Sequence, residues 1–135
     1  MTGWRMSDPF TESPVHNDRF AEHSGIRLIA VGNGSAQAEM DVSDYHLNGL
    51  GITNGGAIFT LADIAFAAAS NSHENDAVAI HADISFFKAS KSGKMIAKAT
   101  EVHRNRKLAT YQIDVFDEEG RLIASMQGTA YQKKK

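Results

Sequence analysis

Apolar and polar positions divide the chain into one long, almost uniformly apolar segment and several short periodic ones. Residues 55–70 run Gly-Gly-Ala-Ile-Phe-Thr-Leu-Ala-Asp-Ile-Ala-Phe-Ala-Ala-Ala-Ser. A surface helix would show a polar face, so this run predicts a helix buried all round, and its alanines favour helix over strand. Asn71 can cap its end before the polar run that follows. Upstream, Ala36, Ala38, Met40 and Val42 alternate with Gln37, Glu39 and Asp41, which is the period of a half-buried strand. A strand over 26–31 precedes it across Gly32-Asn33-Gly34, whose glycines permit the positive φ of a hairpin. A short helix is predicted over 17–23, ended by Gly25. Beyond the long helix, strands are expected at 77–87, 95–102, 108–116 and 122–131, with breaks at 90–93, 103–107 and 117–120 that all read as hairpins.

One long buried helix with about six mostly antiparallel strands has one economical packing, a sheet curled around the helix. That is the hotdog architecture, of the α+β class. The 135 residues make a single domain, 1–135, in which the polar start with Pro9 and Pro14 predicts a loosely ordered segment over 1–16. Hydrophobic residues at 42% and charged residues at 22% place the chain among folding sequences. The net charge of −2 provides no cationic field for nucleic acid or anionic lipid, so neither is expected as a partner. The absence of cysteine removes disulfides, zinc–thiolate sites and thiol nucleophiles together, leaving oxygen and nitrogen groups for any chemistry. No His, Asp and Glu cluster has metal-ligand spacing, and no metal is expected. Asp63 interrupts the longest apolar stretch, 57–69, which falls short of the ~20 residues that span a bilayer. The first ten residues lack the apolar core of a signal peptide, and a cytoplasmic protein is expected. Lys133-Lys134-Lys135 reads as a solvated tail.

The stretch His46-Leu47-Asn48-Gly49-Leu50-Gly51-Ile52-Thr53-Asn54-Gly55-Gly56-Ala57-Ile58-Phe59-Thr60-Leu61-Ala62-Asp63 resembles the signature of the PaaI-like (phenylacetate-pathway) hotdog acyl-CoA thioesterases. There an Asn precedes His-Gly-Gly by six positions and an Asp lies nine beyond the His. Asn48 and Asp63 keep both spacings about Asn54, which stands where the motif has His. The similarity runs from about Phe20 to the C-terminal strand. It implies hydrolysis of an aromatic (phenylacetyl-type) or medium acyl-CoA, with no cofactor beyond the coenzyme A of the substrate. It also implies homodimers that pair further into tetramers. A non-catalytic acyl-CoA-binding or regulatory module is the alternative, because Asn54 cannot exchange a proton near neutral pH as His could. The same loss disfavours the hotdog dehydratases, whose site pairs a His with an acid.

Residue by residue, the candidates carry distinct chemistry. Asp63 is the ionisable group inside the apolar helix, and burying a carboxylate is costly unless it is paired or used. A hydroxyl or amide across the core could satisfy it; the resemblance implies a nucleophile or general base. Gly55 and Gly56 open the helix, where N–H groups lack intrahelical acceptors and the helix dipole adds partial positive charge. An oxyanion fits there, with Gly55 the preferred donor and Gly56 beside it. Asn48 can donate to a carbonyl or orient a water, or serve only the Asn-Gly turn; Asn54 can position a substrate or cap the helix. Phe59, Phe66 and Phe86 are expected to line the acyl site. Lys88, Arg104, Arg106 and Lys107 lie near turns, as solvated cations or as partners for the phosphates of coenzyme A.

Spacing adds a prediction about assembly. The eight residues from Gly55 to Asp63 rise ~12 Å along a helix, too far for one short acyl group to touch both. Two such helices side by side and antiparallel would place Gly55 of one near Asp63 of the other, so the expected active unit is a dimer.

Overall fold

The computed structural model describes residues 8–133. A 3-10 turn at Pro14–Asn17 leads into helix α1 (Arg19–His23), followed by β1 (Ile26–Gly32), β2 (Ser35–Val42), a 3-10 turn at Asp44–His46, α2 (Gly55–Ser70), β3 (Asp76–Phe86), β4 (Gly93–Arg104), β5 (Leu108–Asp117) and β6 (Leu122–Lys133). All six strands form one antiparallel sheet in the order β1-β2-β4-β5-β6-β3. Every strand packs against α2, so the curled sheet wraps the helix as the hotdog prediction requires.

Alternation explains the register. Ala109, Tyr111, Ile113 and Val115 of β5 point inward and are buried, while Thr110, Gln112 and Asp114 between them face outward. Ala36, Ala38 and Met40 of β2 and Met95, Ala97 and Ala99 of β4 continue the same layer. These small side chains let the helix approach the sheet closely, and the large ones fill the gaps. Phe66 of α2 packs 5.6 Å from the Tyr111 ring and lies over Gly128, where an added Cβ would come within 2.7 Å of it.

Three expectations need correction. The chain over 87–92 is a crossover and not a hairpin, because β3 sits at the sheet edge beside β6 while β4 is interior between β2 and β5. The Ser-Lys-Ser-Gly composition suits any turn, so it carried no information about which strands it joins. Second, α2 is not buried all round: Gly56 is exposed, and Phe59, Thr60, Asp63 and Ala67 are only half-buried. These positions recur every three or four residues and form one open stripe. Residues 1–7 lie outside the described residues, but Ser13 and Val15 are buried and the 3-10 turn is capped by Ser13. Third, the short helix begins at Arg19 with Asp18 as its N-cap, later than the expected 17. Lys134 and Lys135 of the predicted tail also lie outside the described residues, whereas Lys133 ends β6.

Candidate active site

The crossover that the sequence hid builds the site. Leaving β3, Phe87 N–H donates to the Ile123 carbonyl at 2.8 Å, and the chain then passes beneath the start of α2. There the Thr53 N–H and hydroxyl both donate to the Ser90 carbonyl at 2.8 Å, tying the crossover to the loop before the helix. His46 anchors the other side of that loop. Its Nδ1 accepts from the Ser43 N–H at 2.9 Å, its Nε2 donates to the Ser24 carbonyl at 2.8 Å, and its own carbonyl accepts from the Asn54 N–H at 2.6 Å. Buried and bonded at both ring nitrogens, His46 holds the helix entry in place.

Between loop and crossover lies a cavity of about 310 Å³, lined by Asn48, Ile52, Thr53, Gly55, Ile58, Phe86, Phe87, Lys88 and Ala89. Asn48 is held by its side-chain oxygen, which accepts from the Leu50 N–H at 2.9 Å and the Ile52 N–H at 3.3 Å. Its amide NH₂ has no partner among the described residues, so the turn role and a donor role coexist in one side chain. Asn54 is the N-cap of α2: its side-chain oxygen accepts from the Gly56 N–H at 2.6 Å. Gly56 therefore offers no free donor. Among the described residues no acceptor engages the Gly55 N–H, and the Phe86 ring lies 3.3 Å from where a Gly55 Cβ would stand. An unengaged backbone donor at a helix N-terminus, beside an aromatic wall, suits a polarised carbonyl.

Asp63 sits two turns along α2 on the open stripe, half-buried, with no hydrogen bond or ion pair among the described residues. Burial pushes its carboxyl above the usual range, and the charge of Asp18 adds to the rise. The cavity at Gly55 and the carboxyl of Asp63 are thus separate features of one chain.

The other sequence candidates fall in different places. Phe86 lines the cavity, Phe59 lies on the open stripe, and Phe66 belongs to the core. Lys88 lines the cavity. Arg104, Arg106 and Lys107 are at the opposite end of the sheet, since Arg104 pairs with Ala109 whereas Phe86 pairs with Ala124, the neighbour of Val115. Arg104 is also engaged, its Nε donating to Gln132 Oε1 at 2.7 Å. Sequence reasoning missed Ile52, Thr53, Ile58, Phe87 and Ala89; the Phe86-Phe87 pair at a strand end was the one available signal. Among the described residues no group of His, Asp and Glu could hold a metal ion, and no helix is long and apolar enough to cross a membrane.

Comparison with known proteins places the chain in a family. The family model of the thioesterase superfamily matches residues 50–124, the span that holds α2, the crossover and most of the sheet. An Archaeoglobus fulgidus relative is 43% identical over 116 residues, covering 85% of this chain and 75% of its own. The acyl-coenzyme A thioesterase PaaI of Escherichia coli K12 is 32% identical over 85% of this chain and 83% of its own. The solved structure of the E. coli PaaI protein superposes with a TM-score of 0.87 at 28% identity, covering 93% of both chains. A Streptococcus mutans UA159 protein solved with acetyl-CoA gives a TM-score of 0.78 at 25% identity, over 82% of this chain and 90% of that one. The chain belongs to the thioesterase superfamily, as a PaaI-like hotdog member. Its reaction class is therefore thioester hydrolysis.

Proposed function

We propose that this protein hydrolyses aromatic (phenylacetyl-type) or medium acyl-CoA thioesters as a homodimer, each site using the Gly55 N–H of one protomer and Asp63 of its partner. The unengaged Gly55 N–H at the cavity under Phe86 carries this reading. Eight helical residues, ~12 Å, separate Gly55 from Asp63 in one chain, so a second chain must supply the acid. The open stripe of α2 and the uncovered edge strand β3, with Val78 and Ile80 exposed, offer the surface for it. Antiparallel pairing of two α2 helices about Phe59 brings Asp63 to Gly55 twice over. The same symmetry carries the partner's Arg104, Arg106 and Lys107 toward the cavity end, where with Lys88 they would meet the phosphates of coenzyme A. The names of the E. coli and S. mutans proteins support a CoA thioester as the substrate class.

In this scheme the thioester carbonyl accepts from Gly55 N–H. Asp63 takes a proton from water as the water oxygen attacks the carbonyl carbon, and the negative charge collects on the oxygen held at the helix N-terminus. Collapse breaks the C–S bond, releasing the acid and coenzyme A, whose sulfur takes the proton that Asp63 had accepted, which restores the carboxylate. A carboxyl raised by burial is a better base near neutral pH than an exposed one. One observation favours a second reading, a non-catalytic acyl-CoA binder: Asn54 is committed to capping and supplies no titrating group. Free-thiol release from a panel of aromatic, short and medium acyl-CoAs between about pH 5 and 9 separates the two. Turnover of aromatic or medium members is expected, and binding without thiol release throughout that range would leave the non-catalytic module.

A further inference from the structure

The cavity at the start of α2 has two unlike sides. Phe86, Phe87, Lys88 and Ala89 form an exposed rim, whereas Thr53 and Ile58 on the inner side are buried, at 5% and 4% exposure. Coenzyme A is far larger than a cavity of about 310 Å³ and carries charged phosphates, so its arm must leave over the rim and the acyl group is left with the inner side. The Thr53 hydroxyl is committed there, donating to the Ser90 carbonyl at 2.8 Å, which leaves Ile58 as the buried apolar surface. Resting on the functional reading above, which puts an acyl-CoA at Gly55, we propose that Ile58 is the specificity-determining residue of this site, a fixed floor that sets the longest acyl group the cavity takes.

Helix geometry puts that floor beside the reacting carbonyl. Ile58 follows Gly55 by three residues on the same face of α2, and helical side chains lean back toward the N-terminus, so the Ile58 side chain covers the turn that Gly55 opens. Gly55 adds no side chain of its own, and the Phe86 ring lies 3.3 Å from where its Cβ would stand. The acyl slot therefore runs between Phe86 and Ile58. These two walls differ in freedom. Phe86 is 51% exposed at the end of β3, while Ile58 belongs to the buried core cluster with Leu61, Ala62 and Phe66. A β-branched side chain in a helix also holds one χ1 rotamer, so the floor neither rotates nor recedes when a longer chain arrives.

The test is the dependence of kcat/KM and of Kd on acyl length, measured with straight-chain acyl-CoAs and phenylacetyl-CoA on purified wild-type protein, Ile58→Val and Ile58→Ala. Ile58→Val takes one methyl group from the floor and is the milder change in a packed core, so it carries the test if Ile58→Ala fails to fold. Both profiles should move to longer chains, with a gain of about tenfold in Ile58→Val for the first chain beyond the wild-type limit and a larger shift in Ile58→Ala. Ile64→Val loses the same methyl group from a buried position of α2 that does not line the cavity, and should leave the limit in place. An Ile58→Val profile that keeps the wild-type limit, or falls equally for every chain, would overturn the floor and leave hydrolysis intact. A shifted Kd profile without thiol release would support the floor and replace hydrolysis by acyl-CoA binding. Wild-type protein that binds no acyl-CoA would overturn both.

Discussion

The two ends of α2 follow opposite rules. At the C-terminal end polar groups are matched to one another. The Asn71 side chain donates to the Ala67 and Ala77 carbonyls and accepts from the Ala77 N–H. The buried Ser72 hydroxyl accepts from the Gly34 N–H and donates to the Ala69 carbonyl. Glu101 accepts from both His73, at 2.8 Å, and the Tyr111 hydroxyl, at 2.9 Å. At the N-terminal end, among the described residues, the Gly55 N–H and the Asn48 amide NH₂ are unengaged beside a cavity, with Asp63 unpaired two turns on. These groups are half-buried beside open surface, and under the proposed function a bound substrate and a second protomer would complete their bonding. The matched end holds the fold, and the unmatched end is where the proposed chemistry falls.

The largest effect expected from this contrast is at Asp63. Asp63→Asn keeps volume and hydrogen-bonding capacity but removes the base, so kcat should fall by about 10²–10⁴-fold with the fold intact. A loss below roughly tenfold would place water activation elsewhere. The same variant should melt at a higher temperature near neutral pH. Asp63 has a folded-state pKa raised by burial and by Asp18, so its ionised form opposes folding as pH rises through that value. The gain should vanish in acid, below the unfolded carboxylate pKa near ~4, and a lower melting temperature at pH 7 would mean that Asp63 has a stabilising partner in the assembly.

Gly55→Pro comes next. Gly55 follows the cap Asn54 and is the first helical residue, the position where proline is tolerated, so the change deletes the donor while keeping the helix. A drop in kcat of about 10²–10³-fold is expected, on the scale of losing one oxyanion donor. Activity within a few-fold of wild type, with the fold confirmed by circular dichroism, would take the oxyanion role from Gly55.

Changes at the matched end should be read in stability and leave kcat alone. Tyr111→Phe removes a hydrogen bond to Glu101 and should cost about 1–2 kcal/mol in denaturant unfolding, with kcat within about twofold. Burial pushes the Glu101 carboxyl up, but the bonds from His73 and Tyr111 outweigh it and hold it below the usual range. Its contribution is therefore present above the unfolded carboxylate pKa and lost as pH falls through the folded one. Glu101→Gln should flatten the acid side of the melting-temperature profile, and a profile unchanged below about pH 5 would show that the cluster carries none of the acid sensitivity. The smallest effect expected is at Asn54, where loss of the cap in Asn54→Ala should cost about 1 kcal/mol.

The contrast between the ends was only partly legible in the sequence. Periodicity located α2 and all six strands, because one-sided burial imposes alternation on β2, β4, β5 and β6 and a nearly unbroken apolar composition on the central helix. It could not show strand order, which depends on long-range pairing: β3 lies beside β6, far from its sequence neighbour β4, and that displacement turns 87–89 into a cavity wall. Asp63 and Gly55 stood out as a lone acid and a glycine start in an apolar helix. Phe66 and the basic hairpin show the limit of composition. An aromatic in the same helix as the acid packs into the core, and cations that read as a phosphate site lie at the far end of their own chain. Which helix face would stay open was also invisible, since the stripe from Gly56 to Ala67 is as apolar as the buried faces apart from Thr60 and Asp63.

The central claim is that each site joins the donor of one chain to the acid of another, and mixing two dead variants tests it most directly. Asp63→Asn and Gly55→Pro proteins, each inactive as a homodimer, are combined under exchange conditions, and the heterodimer is isolated with two different affinity tags. One of its two sites then contains an unmutated Gly55 and an unmutated Asp63, so thiol release at about half the wild-type rate per dimer is expected. Verified heterodimers that release no more thiol than either parent would contradict the shared site.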